Sequence, residues 1–143
     1  PRHTEIGVSL FNTSLLTTAN SSDRRWLISA RRGNLDLVID PQFGRPRYYD
    51  VFAEYEYDFS PNASVSFNAL YADDAIKLVL ESEPAELEQI VSKTKNAQVW
   101  IQLKNRWSDE LSSNLVLSSI SFRNNRLGKM ADIGKVVGSR DLD

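Results

Sequence analysis

Apolar and polar residues alternate with a period of two over long stretches of the chain. In the run from Asp50 to Ser60, one face would carry Val51, Ala53, Tyr55, Tyr57 and Phe59. The other face would carry Phe52, Glu54, Glu56 and Asp58. A strand with one dry and one wet face gives this pattern. The return run Ser64–Asp73 alternates in the same way after the turn residues Pro61 and Asn62, which predicts a long β-hairpin.

Two further hairpins follow from the same pattern. Ala97–Trp107 is predicted to pair with Ser112–Phe122, and Glu5–Thr18 is predicted to pair with Arg25–Asp40. We therefore predict an all-β fold, an antiparallel meander of about six to eight long strands. This meander is expected to be part of a β-barrel or to close into one, as a single domain over residues 1–143.

The predicted connections differ in length. The three hairpin turns, near residues 20–23, 60–63 and 108–110, are short and fall at one end of the sheet, whereas the links near residues 40–49 and 74–96 are long. In the second link, residues 75–82 predict a strand that extends past the sheet rim. A short loop helix is predicted near residues 84–93, because Pro84 suits a first helical position and Leu87, Ile90 and Val91 have helical spacing.

Composition excludes several classes of function. The net charge of -2 provides no broad basic field for nucleic acid. Without cysteine, the chain has no disulfide, zinc-thiolate site or thiol nucleophile, and His3 is its one histidine. We therefore expect no enzymatic activity, no cofactor and no metal site. The pair Asp73–Asp74 is a candidate calcium ligand, although such a pair is more often a solvated strand end.

The ends of the sequence and its hydropathy add two expectations. The chain begins at Pro1 and its single methionine is Met130, which predicts a processed or excised piece of a longer product. No run of about 18 apolar residues occurs, so no transmembrane helix is predicted.

Several features together favour a membrane barrel. A membrane-spanning strand needs about 9–11 residues that alternate between lipid and a polar interior. Short turns at one end, long loops at the other and aromatic residues near strand ends are typical of outer-membrane barrels. The aromatic residues in question are Trp26, Tyr57, Phe59, Tyr71 and Trp107. Alternation does not say which face points inward, so a soluble β-barrel or sandwich that binds a small apolar ligand or a protein partner stays open.

The run WLISARRGNLDLVID, followed by RPRYYDVFAEYEYDFSPNASVSFNALYADD, resembles the first barrel strands of a TonB-dependent outer-membrane receptor. The motifs are a Trp-Leu-Ser-Arg-Arg-like strand, a Tyr-Asp strand entry, a Ser-Pro turn and an Asp-Asp strand exit. They correspond here to Trp26, Leu27, Ser29, Arg31 and Arg32, then to Tyr48–Asp50, Ser60-Pro61 and Asp73-Asp74. The resemblance spans about Glu5 to Phe122. The family's plug domain, TonB box and most of its barrel strands have no counterpart here.

The resemblance implies a function and a set of partners. The parent protein would sit in the bacterial outer membrane and take up a scarce nutrient such as an iron chelate. Its expected partners are outer-membrane lipid, TonB through a region N-terminal to this chain, and an unidentified transported ligand.

Two groups of residues are candidates for ligand contact. The first lies in a predicted long loop, where arginine suits anionic groups and tyrosine stacks, or else where the aromatics anchor the loop. It consists of Arg45, Arg47, Tyr48 and Tyr49. The second is the stretch Arg31–Asn34, either a patch pointing into the lumen or a bulge at Gly33 whose arginines pair with Glu54 and Glu56.

The predicted apolar stripe has a consequence for the isolated chain. Six strands would leave two open edges, which cannot lie unpaired in hydrocarbon. We therefore expect the stripe of residues 51–71 to be covered, either in a small closed barrel or between self-associated copies.

Overall fold

The structure of the chain is a computed structural model that describes residues 1–40, 46–81, 87–130 and 136–142, with side chains for 1–40, 46–77 and 90–128. In these residues the chain forms one antiparallel sheet with the strands in sequence order, which confirms the predicted all-β meander. The strands are β1 (Arg2–Val8), β2 (Asn12–Asn20), β3 (Arg24–Gly33), β4 (Arg47–Ser60), β5 (Ala63–Glu81), β6 (Leu87–Arg106), β7 (Ser112–Met130) and β8 (Val136–Leu142).

The two hairpins with the clearest alternation are confirmed. β4 and β5 pair with Val51 opposite Tyr71 and Tyr57 opposite Val65, around a turn at residues 61–62. β6 and β7 pair around residues 107–111. The turn after Asn20 is also confirmed, so three short turns share one end of the sheet. We call it the short-turn end and the opposite one the far end.

The prediction of a single first strand over Glu5–Thr18 is wrong. β1 and β2 instead pair with each other, and β2 pairs with β3. The chain reverses at Ser9, whose Oγ accepts hydrogen bonds from the backbone N–H groups of Phe11 (3.2 Å) and Asn12 (3.0 Å). These bonds offer the backbone an alternative to the ladder. This short turn lies at the far end, so the prediction that all short turns share one end is also wrong.

The predicted continuation of the next strand to Asp40 is wrong as well. β3 ends at Gly33, and a short helix α1 (Leu35–Val38) follows. Asn34 ends the ladder because its backbone N–H donates to Phe11 O (2.9 Å) and its side-chain Nδ2 donates to Ser9 O (3.0 Å). Asn34 is thereby buried and satisfied against the β1–β2 turn.

Long strands replace much of the predicted link over residues 74–96. The predicted extension is confirmed through Glu81, while Ser82 lies outside the described residues. The predicted loop helix is wrong for residues 87–93, which belong to β6, and residues 84–86 lie outside the described part. β6 pairs here with β5 on one side and β7 on the other, so two ladders outweigh the local helical spacing.

The sheet is a single open layer. Within the described residues, β1 and β8 do not pair with each other, and no hydrophobic side chain is buried. The expectation that this chain closes into a small barrel is therefore wrong, whereas self-association stays a prediction. No helix in the described ranges is both long and apolar enough to cross a membrane.

The exposed fraction of successive side chains alternates along the central strands, which indicates the direction in which the sheet curves. In β5, Ser66 and Asn68 are 6% and 8% exposed, whereas Phe67 between them is 47% exposed. In β6, Trp100 is half-buried while the adjacent Ile101 is 42% exposed. A flat single-layer sheet would expose both faces alike, as on β7, where Val116 is 50% and Leu117 64% exposed. Around β5 and β6 the sheet therefore curves toward the side of Ser66 and Asn68. We call that side the concave face of the whole sheet and the other side the convex face.

Candidate functional site

The convex face carries a continuous band of apolar side chains. The register aligns Trp26 of β3 with Tyr55 of β4, then with Phe67, Ile101 and Leu117 of the next three strands. The neighbouring rows on this face are mostly apolar, with Arg24, Thr17 and Ser119 as exceptions. We call this surface the apolar band, and its members on β2 to β7 include Leu15, Trp26, Ile28, Val51, Ala53, Tyr55, Val65, Phe67, Ala69, Val99, Ile101, Leu103, Leu115 and Leu117.

The band has a limited height along the strands. On β3, the convex positions between Arg24 and Arg32 are Trp26, Ile28 and Ala30. At about 3.4 Å per residue the two arginines are roughly 27 Å apart along the strand. A membrane-spanning strand is tilted by about 35–45° and needs about 9–11 residues. The stretch from Arg24 to Arg32 is nine residues long, at the lower end of that range.

The far limit of the band follows one row of paired residues across most of the sheet. The members of that row on β2 to β6 are Leu15, Ala30, Val51, Tyr71 and Ala97. On β1 the band reaches one alternate position further, to Val8. On β7 the row continues with Ser121, and the last apolar residue of the band is Leu117. The band is therefore narrower at β7.

Aromatic rings mark both limits of the band. Tyr57 and Phe59 lie at its short-turn end, where the guanidinium of Arg24 sits 5.7 Å from the centre of the Tyr57 ring. At the far end, the guanidinium of Arg47 sits 5.3 Å from the centre of the Tyr49 ring. Rings that contact a cation suit a boundary between hydrocarbon and water.

Ion pairs join β3 to β4 on the concave face. Arg25 contacts Glu56 at 3.0 Å and Asp58 at 3.2 Å. Arg31 holds the Asp50 carboxylate with two groups, Nε at 3.1 Å and Nη2 at 2.9 Å. These five charges are therefore compensated on the side toward which the sheet curves.

The rest of the concave face carries uncharged polar, aromatic and aliphatic groups, the last including Leu27, Leu70, Val116 and Ile120. Asn68 Nδ2 donates to Ser66 Oγ at 3.1 Å. The rings of Phe52 and Trp100 stack with their centres 5.9 Å apart, although their strands are separated by β5. Strands two apart lie roughly 9.6 Å from each other, so these side chains converge. Their convergence is independent evidence for the curvature.

The structure separates the predicted ligand residues. Tyr48 lies on the concave face and its ring packs over Gly33, while Arg47 and Tyr49 lie on the convex face. Arg45 lies outside the described residues. The described members of the group therefore do not share one surface, and a role in ligand contact stays a prediction.

The stretch Arg31–Asn34 also differs from its predicted arrangement. The register of β3 and β4 is continuous through Arg32, so Gly33 marks a close approach of Tyr48 and not a bulge. The arginines do not pair with Glu54 and Glu56 as predicted. Arg31 pairs with Asp50 on the concave face, and Arg32 pairs with Asp36 of α1 at 2.9 Å.

No known family model, curated protein or solved structure matches the chain. The described residues contain no group of three or more His, Cys, Asp or Glu side chains placed to hold a metal ion. The functional interpretation therefore rests on the two faces of the sheet.

Sequence reasoning missed two features of these faces. The pattern assigned Phe52 to the polar side but gave no reason for its contact with Trp100. It also missed the cationic residues on the convex face of β6, Lys93 and Lys95, because this stretch was assigned to a link with a helix. Their spacing of two residues was the signal that could have placed them on one face of a strand.

Proposed function

We propose that the chain forms part of the wall of an outer-membrane β-barrel, in a transport receptor of the TonB-dependent class. The observation that carries the proposal is the apolar band on the convex face. In a soluble barrel or sandwich the apolar residues would line the sheltered side. Here the sheltered side holds ion pairs, amides and the Phe52–Trp100 stack, while Val99 and Ile101 project outward. The length of the band along β3 also supports a membrane wall.

The receptor class rests on the sequence resemblance described above. In this proposal the parent protein lies in the bacterial outer membrane and takes up a scarce nutrient such as an iron chelate. Lipid covers the convex face, further strands pair with the open edges, and TonB acts through a region that precedes this chain. The segment contributes wall and surface, with no catalytic step.

Two tryptophans on opposite faces test this orientation. Trp26 belongs to the apolar band, whereas Trp100 lies on the concave face. We expect detergent with brominated alkyl chains to quench the fluorescence of Trp26 strongly and that of Trp100 weakly, because bromine quenches on close approach. The chain in micelles would be compared as two single-tryptophan variants, W100F/W107F and W26F/W107F.

The opposite quenching pattern would support the alternative, a soluble barrel or sandwich. If Trp100 is quenched and Trp26 is not, the apolar band faces protein and the soluble barrel or sandwich gains support. Quenching by the water-soluble iodide ion in urea provides the control. Both tryptophans should be quenched to the same degree there, because both variants are unfolded.

A further inference from the structure

Cationic side chains gather on the convex face just beyond the far end of the apolar band. Lys95 of β6 and Arg123 of β7 are direct cross-strand partners, and Lys93 follows two residues along on the same face. All three are exposed. We call the group the cation cluster, and its members are Arg47, Lys77, Lys93, Lys95 and Arg123.

Among the side chains that the structure describes, one carboxylate accompanies this cluster on β4 to β7. It is that of Asp73, which lies 3.6 Å from Lys95 Nζ. Like charges placed directly opposite each other, such as Lys95 and Arg123, destabilise a sheet. An anionic partner would reduce this repulsion and so stabilise the sheet.

The short-turn end of the same face provides a contrast. There the convex positions of β4 to β7 are Phe59, Ala63, Asn105 and Ser113, which carry no charge. Arg24 of β3 lies at that end but is 3.5 Å from Asp23. The cations are therefore concentrated at one end of the band.

The cluster adjoins the apolar band without a gap. On β6 the convex positions run from Lys93 and Lys95 directly to Ala97 and Val99. A ligand that covers both surfaces must have phosphate or similar anionic groups next to acyl chains. We propose that the cation cluster binds the phosphate head groups of anionic lipid in the leaflet at the far end. This inference rests on the proposed function.

Lipid fits these observations better than nucleic acid. A nucleic-acid partner would need a wider basic field than a chain of net charge -2 offers, and it would leave the adjoining band uncovered. Arginine and lysine also suit the monoanionic and dianionic phosphates of lipid head groups.

The test uses the full chain in phosphocholine micelles that contain a small amount of dansyl-labelled lipid. Energy transfer from tryptophan to dansyl reports how strongly each lipid gathers around the protein. We expect phosphatidylglycerol to be enriched over phosphatidylcholine. The variant K95Q/R123Q should lose about fivefold of that preference for each charge removed at low salt. Arg24→Gln, on the same face at the other end, and Lys104→Gln, on the concave face, should retain it.

The outcomes separate this inference from the proposed function. Equal enrichment of both lipids would overturn the inference and leave the membrane wall standing. Transfer from neither lipid would overturn both. An equal loss in Arg24→Gln would show diffuse attraction in place of a site. Displacement of the labelled phosphatidylglycerol by millimolar inorganic phosphate would identify a site for free phosphate, and the lipid proposal would be wrong.

Discussion

Tyr48 and Gly33 form a packed pair at the far end of the sheet. Gly33 is buried, and a Cβ built on it would overlap the ring of Tyr48. Glycine in a strand costs conformational entropy, so its presence here is explained by the ring that occupies the place of its side chain. A residue first considered for ligand contact is thus part of the packing between β3 and β4.

This packing predicts the effect of adding a methyl group. We expect Gly33→Ala to lower the free energy of unfolding by about 1–3 kcal/mol, because the ring must move or the strands must separate. Urea unfolding in detergent micelles measures it. Gly128→Ala is the matched control, since a Cβ at Gly128 meets nothing within 4 Å. In a Tyr48→Ala background the cost should largely disappear, and an undiminished cost there would contradict the contact.

At the scale of single elements, strand boundaries could be predicted where the turn residues have a strong conformational preference. Pro61 and Asn62 fixed the β4–β5 turn, and with it the face of every residue in both strands. Ser9 gave no comparable signal, because the alternation of Ile6, Val8 and Leu10 passes through it. The hydrogen bonds that turn the chain there come from one hydroxyl group.

The extension of β6 toward the far end was not predicted, because its sequence also fits a helix. Leu87, Ile90 and Val91 have the spacing of a helix, and only pairing with both neighbouring strands makes this stretch extended. The cation cluster was missed for the same reason, because Lys93 and Lys95 share a face only in a strand.

Cross-linking tests the strand assignment of this stretch. Val91 and Leu127 are partners in the β6–β7 register, and partner Cα atoms lie about 4.5–5.5 Å apart, which suits a disulfide. We expect V91C/L127C to oxidise readily, as measured by loss of free thiols, because the chain has no other cysteine. V91C/R126C should not, since its side chains point to opposite faces. Comparable oxidation of the two variants would contradict the register.

At the scale of the whole molecule, the direction in which the sheet curves decides which face is sheltered. That direction could not be predicted from the sequence. Alternation divided Val51 and Tyr55 from Glu54 and Glu56, but a period of two is the same whichever way a sheet bends. The direction follows from the three-dimensional arrangement in which Phe52 reaches Trp100 over β5.

Adjacent residues on opposite faces of β6 test this polarity. We expect Val99→Lys to destabilise the chain in neutral micelles by about 2–4 kcal/mol, because a charge in the middle of a lipid-facing belt loses its hydration. Gln98→Lys, on the concave face, should change the unfolding free energy by less than about 1 kcal/mol. Urea unfolding again provides the measurement, and a larger effect at Gln98 would reverse the assignment of the faces.

The order of the strands in the described sheet also bears on how the molecule is made. Each strand pairs with the strand that follows it in the chain. Short-range pairing keeps the entropy of closing each loop small, and single hairpins form in about 1–10 μs. The newest strand can therefore always add to the edge left by the strand before it, so assembly can proceed in the order of the sequence. Until the convex face is covered, each added strand enlarges the apolar surface in contact with water. A chaperone that shields this surface is therefore needed from the first hairpin onward.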